Sequence, residues 1–292
     1  MKADNQAVRA VCVSRAYKLF LSLLFLLFLS GGNRLYSQCR MNDSVFSPGE
    51  KIFLDVYFKW GILMPKAGSA ILSMDEVPFE GEPSIRQRLV FKTAPMFDHI
   101  YKMRDTIDTN YSMDMGLLQY EKRTEEGGYY LVDRMRFLYD GEKTLVPTIR
   151  YDRNRTKIDT THVYVGCLFD MLGVTMYLRT LDMETLSLGT EFPTAIAMGR
   201  DIIKIKYRYA GQSIVERKDN LKYKTLRFYM DVYDDAFTQS QEALEIWVSD
   251  DKNRLPIKIR AKLKIGAAEV YFNKVEGNRY PLESQIFIPR RN

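Results

Sequence analysis

The sequence predicts a mainly β protein: a large curved antiparallel sheet, forming an open barrel or a sandwich, with one amphipathic helix packed on it and a signal helix at the N-terminus. Three observations carry this. Apolar residues recur with period two over most of the chain, turn-forming residues separate these runs, and a single stretch has a three-to-four residue period.

The strands follow in order. In Lys51–Phe58, Ile52, Leu54, Val56 and Phe58 share a face. Ser69–Asp75, Arg86–Thr93, Tyr129–Tyr139 and Lys157–Val165 read the same way. In Asp201–Ala210, Ile203, Ile205, Tyr207 and Tyr209 oppose Ile202, Lys204, Lys206 and Arg208. Leu226–Tyr233, Ala243–Val248 and Glu269–Val275 follow, and Ile257–Ile265 alternates Ile/Ala/Leu strictly with Lys/Arg. Such alternation buries one face and wets the other, as in antiparallel sheets. Glu125-Glu-Gly-Gly128, Asp140-Gly141, Asp219-Asn220, Asp250-Asp-Lys-Asn253 and Gly277-Asn278 supply the turns. From Cys167 to Leu181, Leu168, Met171, Leu172, Thr175, Tyr177, Leu178 and Leu181 recur at helical spacing, which predicts a helix of about four turns in spite of Gly173.

The chain opens with Lys2, Arg9, Arg15 and Lys18, an uncharged run Leu19–Ser30, Gly31-Gly32, and small Ser37 before Gln38. These are the parts of a secretory signal, with cleavage expected between Ser37 and Gln38. The alternatives are a retained anchor, for which twelve residues reach only about 18 Å of a ~30 Å core, and lipidation at Cys39, which Gln38 suits badly. The expected organisation is a signal peptide over 1–37 and one β-rich exported domain over 38–292, in the periplasm or cell envelope of a Gram-negative bacterium.

The formal net charge of +6 falls to +2 once residues 1–37 are set aside, leaving 38 basic and 36 acidic residues. A basic pI therefore argues for no nucleic-acid partner. Cys39 and Cys167 are the two cysteines beyond the signal, and an oxidising compartment reads them as one disulfide, against two buried thiols.

The catalytic inventory is thin. His99 and His162 are the two histidines, too few for a His-rich metal site, and each reads better as an ordinary polar residue than as half of a catalytic dyad. No G-x-S-x-G, phosphate-loop or dinucleotide motif occurs. Glu125-Glu126, Asp234-Asp235 and Asp250-Asp251 read as turn acids, because neighbours on a strand point to opposite faces. Asp250–Asn253 lacks calcium-loop spacing. No cofactor or metal is expected.

Several segments carry a resemblance. They are Phe46-x-Pro-Gly-Glu-Lys-Ile, Tyr57-Phe-Lys-Trp-Gly-Ile62 with Lys66-Ala-Gly-Ser-Ala70, Arg104-Asp105, Cys167-Leu-Phe-Asp-Met171 with Tyr177-Leu-Arg179, and Leu244-Glu-Ile-Trp-Val-Ser-Asp-Asp251 with Arg254-Leu-Pro-Ile257. Together, from Phe46 to Leu282, the chain resembles the bacterial exported proteins of the domain of unknown function 3108 family. Gly173-Val174 departs from the Ser-Ala pair of that pattern. The resemblance implies an envelope β-domain with no catalytic residues to transfer. Its Trp-x-x-x-Asp strand end followed by Leu-Pro is similar, at fold level, to envelope lipoprotein carriers of the LolA and LolB type.

The functional expectation is a non-enzymatic binder of a lipid, another apolar ligand or an envelope partner protein, with its mature domain not spanning a membrane. Many aromatics and a single helix to cover the sheet point to an apolar cavity on the concave face. A glycan- or lipid-acting hydrolase with carboxylates assembled by the fold, and a purely structural module, are the alternatives.

Overall fold

The computed structural model describes residues 41, 43–59, 61–183, 186–217, 219–232, 241–263 and 266–286. Cys39, Ser37, Gln38 and the acids Asp234-Asp235 lie outside the described residues.

The described residues form one 17-stranded sheet. The strands are β1 (Glu50–Lys59), β2 (Lys66–Phe79), β3 (Glu82–Thr93), β4 (Arg104–Tyr111), β5 (Leu117–Glu126), β6 (Tyr129–Arg136), β7 (Leu138–Asp140), β8 (Lys143–Asp152), β9 (Thr156–Val165), β10 (Leu168–Phe169), β11 (Glu191–Ala197), β12 (Ile202–Glu216), β13 (Lys222–Val232), β14 (Leu244–Ser249), β15 (Pro256–Lys262), β16 (Ala267–Glu276) and β17 (Gln285–Ile286). Two helices interrupt them, α1 (Pro95–Asp98) and α2 (Gly173–Thr180). Hairpins run outward from β1 through β2, β3, β4, β5 and β6 to β8 and β9, while on its other side β1 pairs with β16, which leads through β15, β14, β13 and β12 to β11. The pairings are antiparallel except for β10 with β11, two residues long and parallel.

One face of this curved sheet is the core. Ile52, Leu54, Leu72, Met74, Ile85, Ile203, Ile205, Tyr207, Phe228, Ile246 and Ile257 point to it from successive strands, and α2 contributes Val174, Met176 and Leu178. These side chains pack into a single contiguous cluster, so the expected cavity-bearing concave face is filled where it is described. The opposite face carries a ladder of charges, such as Arg88 with Asp108 and Arg134 with Glu121.

The predicted strands appear with ends shifted by a few residues, β4, β5, β8 and β11 stand where no strand is expected, and three further details differ. The helix expected over Cys167–Leu181 begins only at Gly173 and has eight residues. Leu168 and Phe169 are drawn into β10 against Ala195 and Ile196, and both strand and helix turn their apolar residues inward, which mimics one long helical period. At Gly173 an added Cβ would sit 3.3 Å from Asp170 Oδ1 and 3.4 Å from Leu117 Cδ2, so this glycine allows the close approach. Tyr129–Tyr139 breaks at Phe137, whose ring is buried and whose N–H donates to the Leu118 carbonyl. Finally, β15 stops at Lys262, leaving Leu263 half-buried beyond the strand end and Ile265 outside the described residues. Lys258 and Arg260 on its outer face are half-buried too, because both lean over Glu269 at 3.5 and 3.6 Å.

Candidate functional site

The motif residues singled out in the sequence converge, and what they build is a buried clasp. Arg179, on the last turn of α2, pairs with Glu50 at the start of β1 at 2.7 Å, and both side chains are almost wholly buried. The same guanidinium donates to the carbonyls of Val45 (3.0 Å) and Asn253 (3.0 Å). Asn253 in turn donates to Tyr280 O and accepts from Tyr280 N–H, while buried Asp251 accepts from Ser249, Asn253 and Ser284. A buried charge persists only when its partners satisfy it; here the guanidinium joins the N-terminal segment, the helix and the β14–β15 turn. Asp250-Asp251 is thus a structural turn.

Asp170 is a further buried carboxyl, with no exposed surface. Its Oδ1 accepts from the backbone N–H groups of Leu172 (2.8 Å) and Gly173 (2.6 Å), donors that the helix start leaves open, and Oδ2 accepts from Thr109 (2.9 Å). Burial pushes its pKa up to about 6, with these hydrogen bonds opposing the rise. Tyr111 and Tyr120 beside it are raised by burial and by the Asp170 charge.

The concave face turns polar across β4–β6. Asp105 and Glu126 sit on that face, diagonal to each other, since Thr106 opposes Arg123 and Met103 bridges to Glu126. Lys122 lies 3.9 Å from Asp105, and Tyr101 donates to Glu126 at 3.3 Å. Burial and then the Asp105 charge hold the Glu126 carboxyl above its ordinary pKa. The reading of Glu125-Glu126 as turn acids is corrected: both belong to β5. His99 is exposed, and its neighbour Asp98 instead binds Arg104 and Thr93, which lower its pKa to about 2.

The remaining feature is the seam where the sheet fails to close. Among the described residues β9 pairs with β8 alone. Its C-terminal end is stitched to β11 through Cys167, whose carbonyl accepts from Ala195 N–H (3.0 Å) and Thr194 Oγ1 (3.1 Å). Cys167 is disulfide-bonded, and its partner is not among the described residues. Farther along, His162 Nε2 lies 3.2 Å from the Gly199 carbonyl. Gly199 has φ +74°, and a Cβ there would approach Asp133 Oδ1 to 3.1 Å, so the turn rests on the Asp133–Arg150 ion pair (Nη2 to Oδ2, 2.9 Å). A cleft of about 350 Å³ lined by Tyr164, Cys167, Pro193, Thr194 and Lys204 opens beside the stitch.

An apolar row runs up to this edge on the outer face. Leu138 opposes Leu145, which opposes Val163. Leu138, Val163 and Val165 are 47, 55 and 58% exposed. Edge strands are ordinarily blunted by charge, proline or a bulge. The bulge of this hairpin, between Arg150 and Tyr151, falls opposite the start of β9 together with Lys157 and Asp159, and Thr160–Val165 has none of the three devices. Sequence alternation identified β9 as a strand; its position at an edge follows only from the sheet order.

No group of three or more His, Cys, Asp or Glu side chains among the described residues is placed to hold a metal, and no helix among them is long and apolar enough to cross a membrane. A family model described as "Protein of unknown function (DUF3108)" matches residues 54–273. No curated protein matches the chain. Among solved structures, the chain is similar to a "Beta-barrel-like Protein of Domain of Unknown Function DUF1849 from Brucella abortus", with TM-score 0.51 and 10% identity over 78% of this chain and 97% of that one. At that identity the likeness shows the fold alone.

Proposed function

Because the chain belongs to the DUF3108 family, whose description assigns no activity, we propose from its own geometry that it is a non-enzymatic protein of the cell envelope. In this reading it is exported, is cut between Ser37 and Gln38, and binds an extended segment of a partner protein at the seam. The observation that carries this is the β9 edge: six uncharged residues, paired with β8 and with no second strand beside them among the described residues, at the end of an exposed apolar row. A strand added there gains main-chain hydrogen bonds from the edge and apolar contact from Leu138, Val163 and Val165. Binding of an apolar ligand inside the concave face is less well supported, since it would require the packed cluster to open. A photoreactive residue in place of Val163 in living cells tests the proposal. A discrete adduct that a Leu138→Asp change abolishes supports it. No adduct, or an equal one from a photoreactive residue at exposed Ile214 on β12, contradicts it.

One observation favours a second reading, the hydrolase. Asp105 and Glu126 share the concave face beside Tyr101, and burial with the Asp105 charge raises the Glu126 carboxyl in the direction that suits a general acid. Assay of the purified chain on nitrophenyl glycosides and esters decides it: turnover lost in Glu126→Gln establishes hydrolysis, and no turnover removes it.

A further inference from the structure

A different region of the surface carries an inference independent of the seam. The β1–β2 loop and the β3–β4 loop leave the sheet at the same end from neighbouring strands, since Gly68 opposes Thr93 and Ala94 N–H donates to the Ala67 carbonyl at 2.8 Å. Their tips are apolar and bare. Ile62 is fully exposed, Leu63 61% exposed, Met96 64%, Ile100 78% and Tyr101 50%. Scattered exposed hydrophobics need no explanation, whereas five on two adjacent loops form a patch that does.

The stems of both loops are basic. In Lys59-Trp-Gly-Ile-Leu-Met-Pro-Lys66, lysines stand three residues to either side of the Ile62-Leu63 tip, and exposed Lys92 and Lys102 flank the second loop. The rim also carries acids. Lys66 meets Asp55 at 2.6 Å, Arg104 pairs with Asp98, Tyr101 donates to Glu126, and Glu125 is exposed beside them. Lys92 and Lys102 stand exposed at the stems, Lys102 within reach of the Asp98 charge that Arg104 already pairs. Three residues of extended chain span about 10 Å. That matches the depth, about 5–10 Å, to which apolar side chains enter the headgroup–acyl boundary of a bilayer. Apolar tips, a tyrosine behind them and lysines at phosphate level reproduce the layering of a membrane interface. A flat protein partner would instead call for apolar area on the sheet face itself.

We infer that this rim docks on the surface of an anionic phospholipid bilayer, with Ile62, Leu63, Met96 and Ile100 entering it and Lys92 and Lys102 at the phosphates. The occupant is a lipid surface, met by loop tips; no helix among the described residues is long and apolar enough to cross it.

The test uses protein purified from its own cells, with whatever N-terminus those cells leave. It is sedimented with vesicles of phosphatidylethanolamine and phosphatidylglycerol (three to one), and separately with phosphatidylcholine. The parent is expected to bind the anionic vesicles more tightly, and the pair Ile62→Asp with Leu63→Asp to weaken binding at least tenfold without shifting the melting temperature. Lys92→Glu with Lys102→Glu should abolish the preference for anionic vesicles, and this pair is read if the first fails to fold. Absence of parent binding to either vesicle overturns the inference. So does undiminished binding by both paired variants, which would place the attachment in the N-terminal segment. Neither result bears on the seam, whose test is an adduct at Val163.

Discussion

Replacing Asp170 by asparagine isolates the cost of a buried carboxylate. The carboxyl is fully buried and its pKa is pushed up to about 6 from an ordinary 3.8. The folded state therefore holds its proton more tightly than the unfolded state does. Between roughly pH 4 and pH 6 the unfolded chain binds fewer protons at this position, so Asp170 makes stability fall as pH rises through that window. The rise of about two pH units corresponds to about 3 kcal/mol. An asparagine keeps an oxygen to accept from Leu172 and Gly173 N–H and a polar group opposite Thr109, without the charge. Urea unfolding of both proteins from pH 4 to pH 8 gives a difference curve from which other titrating groups cancel. The two should be nearly equal at pH 4, and Asp170→Asn should be more stable above pH 6, by up to about 3 kcal/mol. A flat difference curve, or a variant less stable at pH 7 than at pH 4 relative to its parent, would refute the reasoning. It would mean that the helix start and Thr109 fully compensate the charge.

Arg179→Met leaves Glu50 buried without its cation and should cost about 3–5 kcal/mol in chemical denaturation, while adding Glu50→Gln should recover much of the loss. In β15, Ile257→Ala should cost about 2–5 kcal/mol. Leu263→Ala, half-buried beyond the strand end, should cost clearly less by the same measure, and Lys262→Ala should stay within about 0.5 kcal/mol. N-terminal sequencing of the exported protein should begin at Gln38. That protein should carry a Cys39–Cys167 bridge, seen as no alkylatable thiol before reduction, and closing a loop of about 130 residues should stabilise it by roughly 4–5 kcal/mol.

Sequence pattern located the strands best where one face is apolar throughout. Ile203, Ile205, Tyr207 and Tyr209 all point into the core, as their spacing requires. β4, β5, β8 and β11 escaped because their hydrophobic period is broken. In β4 and β5 the polar Asp105, Thr109, Lys122, Thr124 and Glu126 share the inward face with Ile107, Tyr111 and Tyr120. In β8 Thr144 and Thr148 flank Val146, and in β11 Thr194–Ala197 is buried without alternation. The polar stretch of the concave face and the loss of β4 and β5 are therefore one feature, and places where local pattern fails are often functional or strained. The helix was overestimated because a strand–turn–helix with both ends facing inward imitates a longer period. The clasp was legible only as charged letters, Glu50 and Arg179, inside otherwise apolar motifs; their pairing across 129 positions needed the fold. The seam could not be read at all, because whether a strand has one neighbour or two is a property of the sheet.

Amide hydrogen exchange on the isolated protein tests most directly whether β9 is an open edge. β3 is bonded to β2 on one side and β4 on the other, so its amides should be protected for the lifetime of the fold. Every second amide of Thr160–Val165 should exchange within minutes, as outward donors with no acceptor do. Protection across Thr160–Val165 equal to that of β3 would contradict the account, because the seam would then be closed and the edge unavailable to a partner strand.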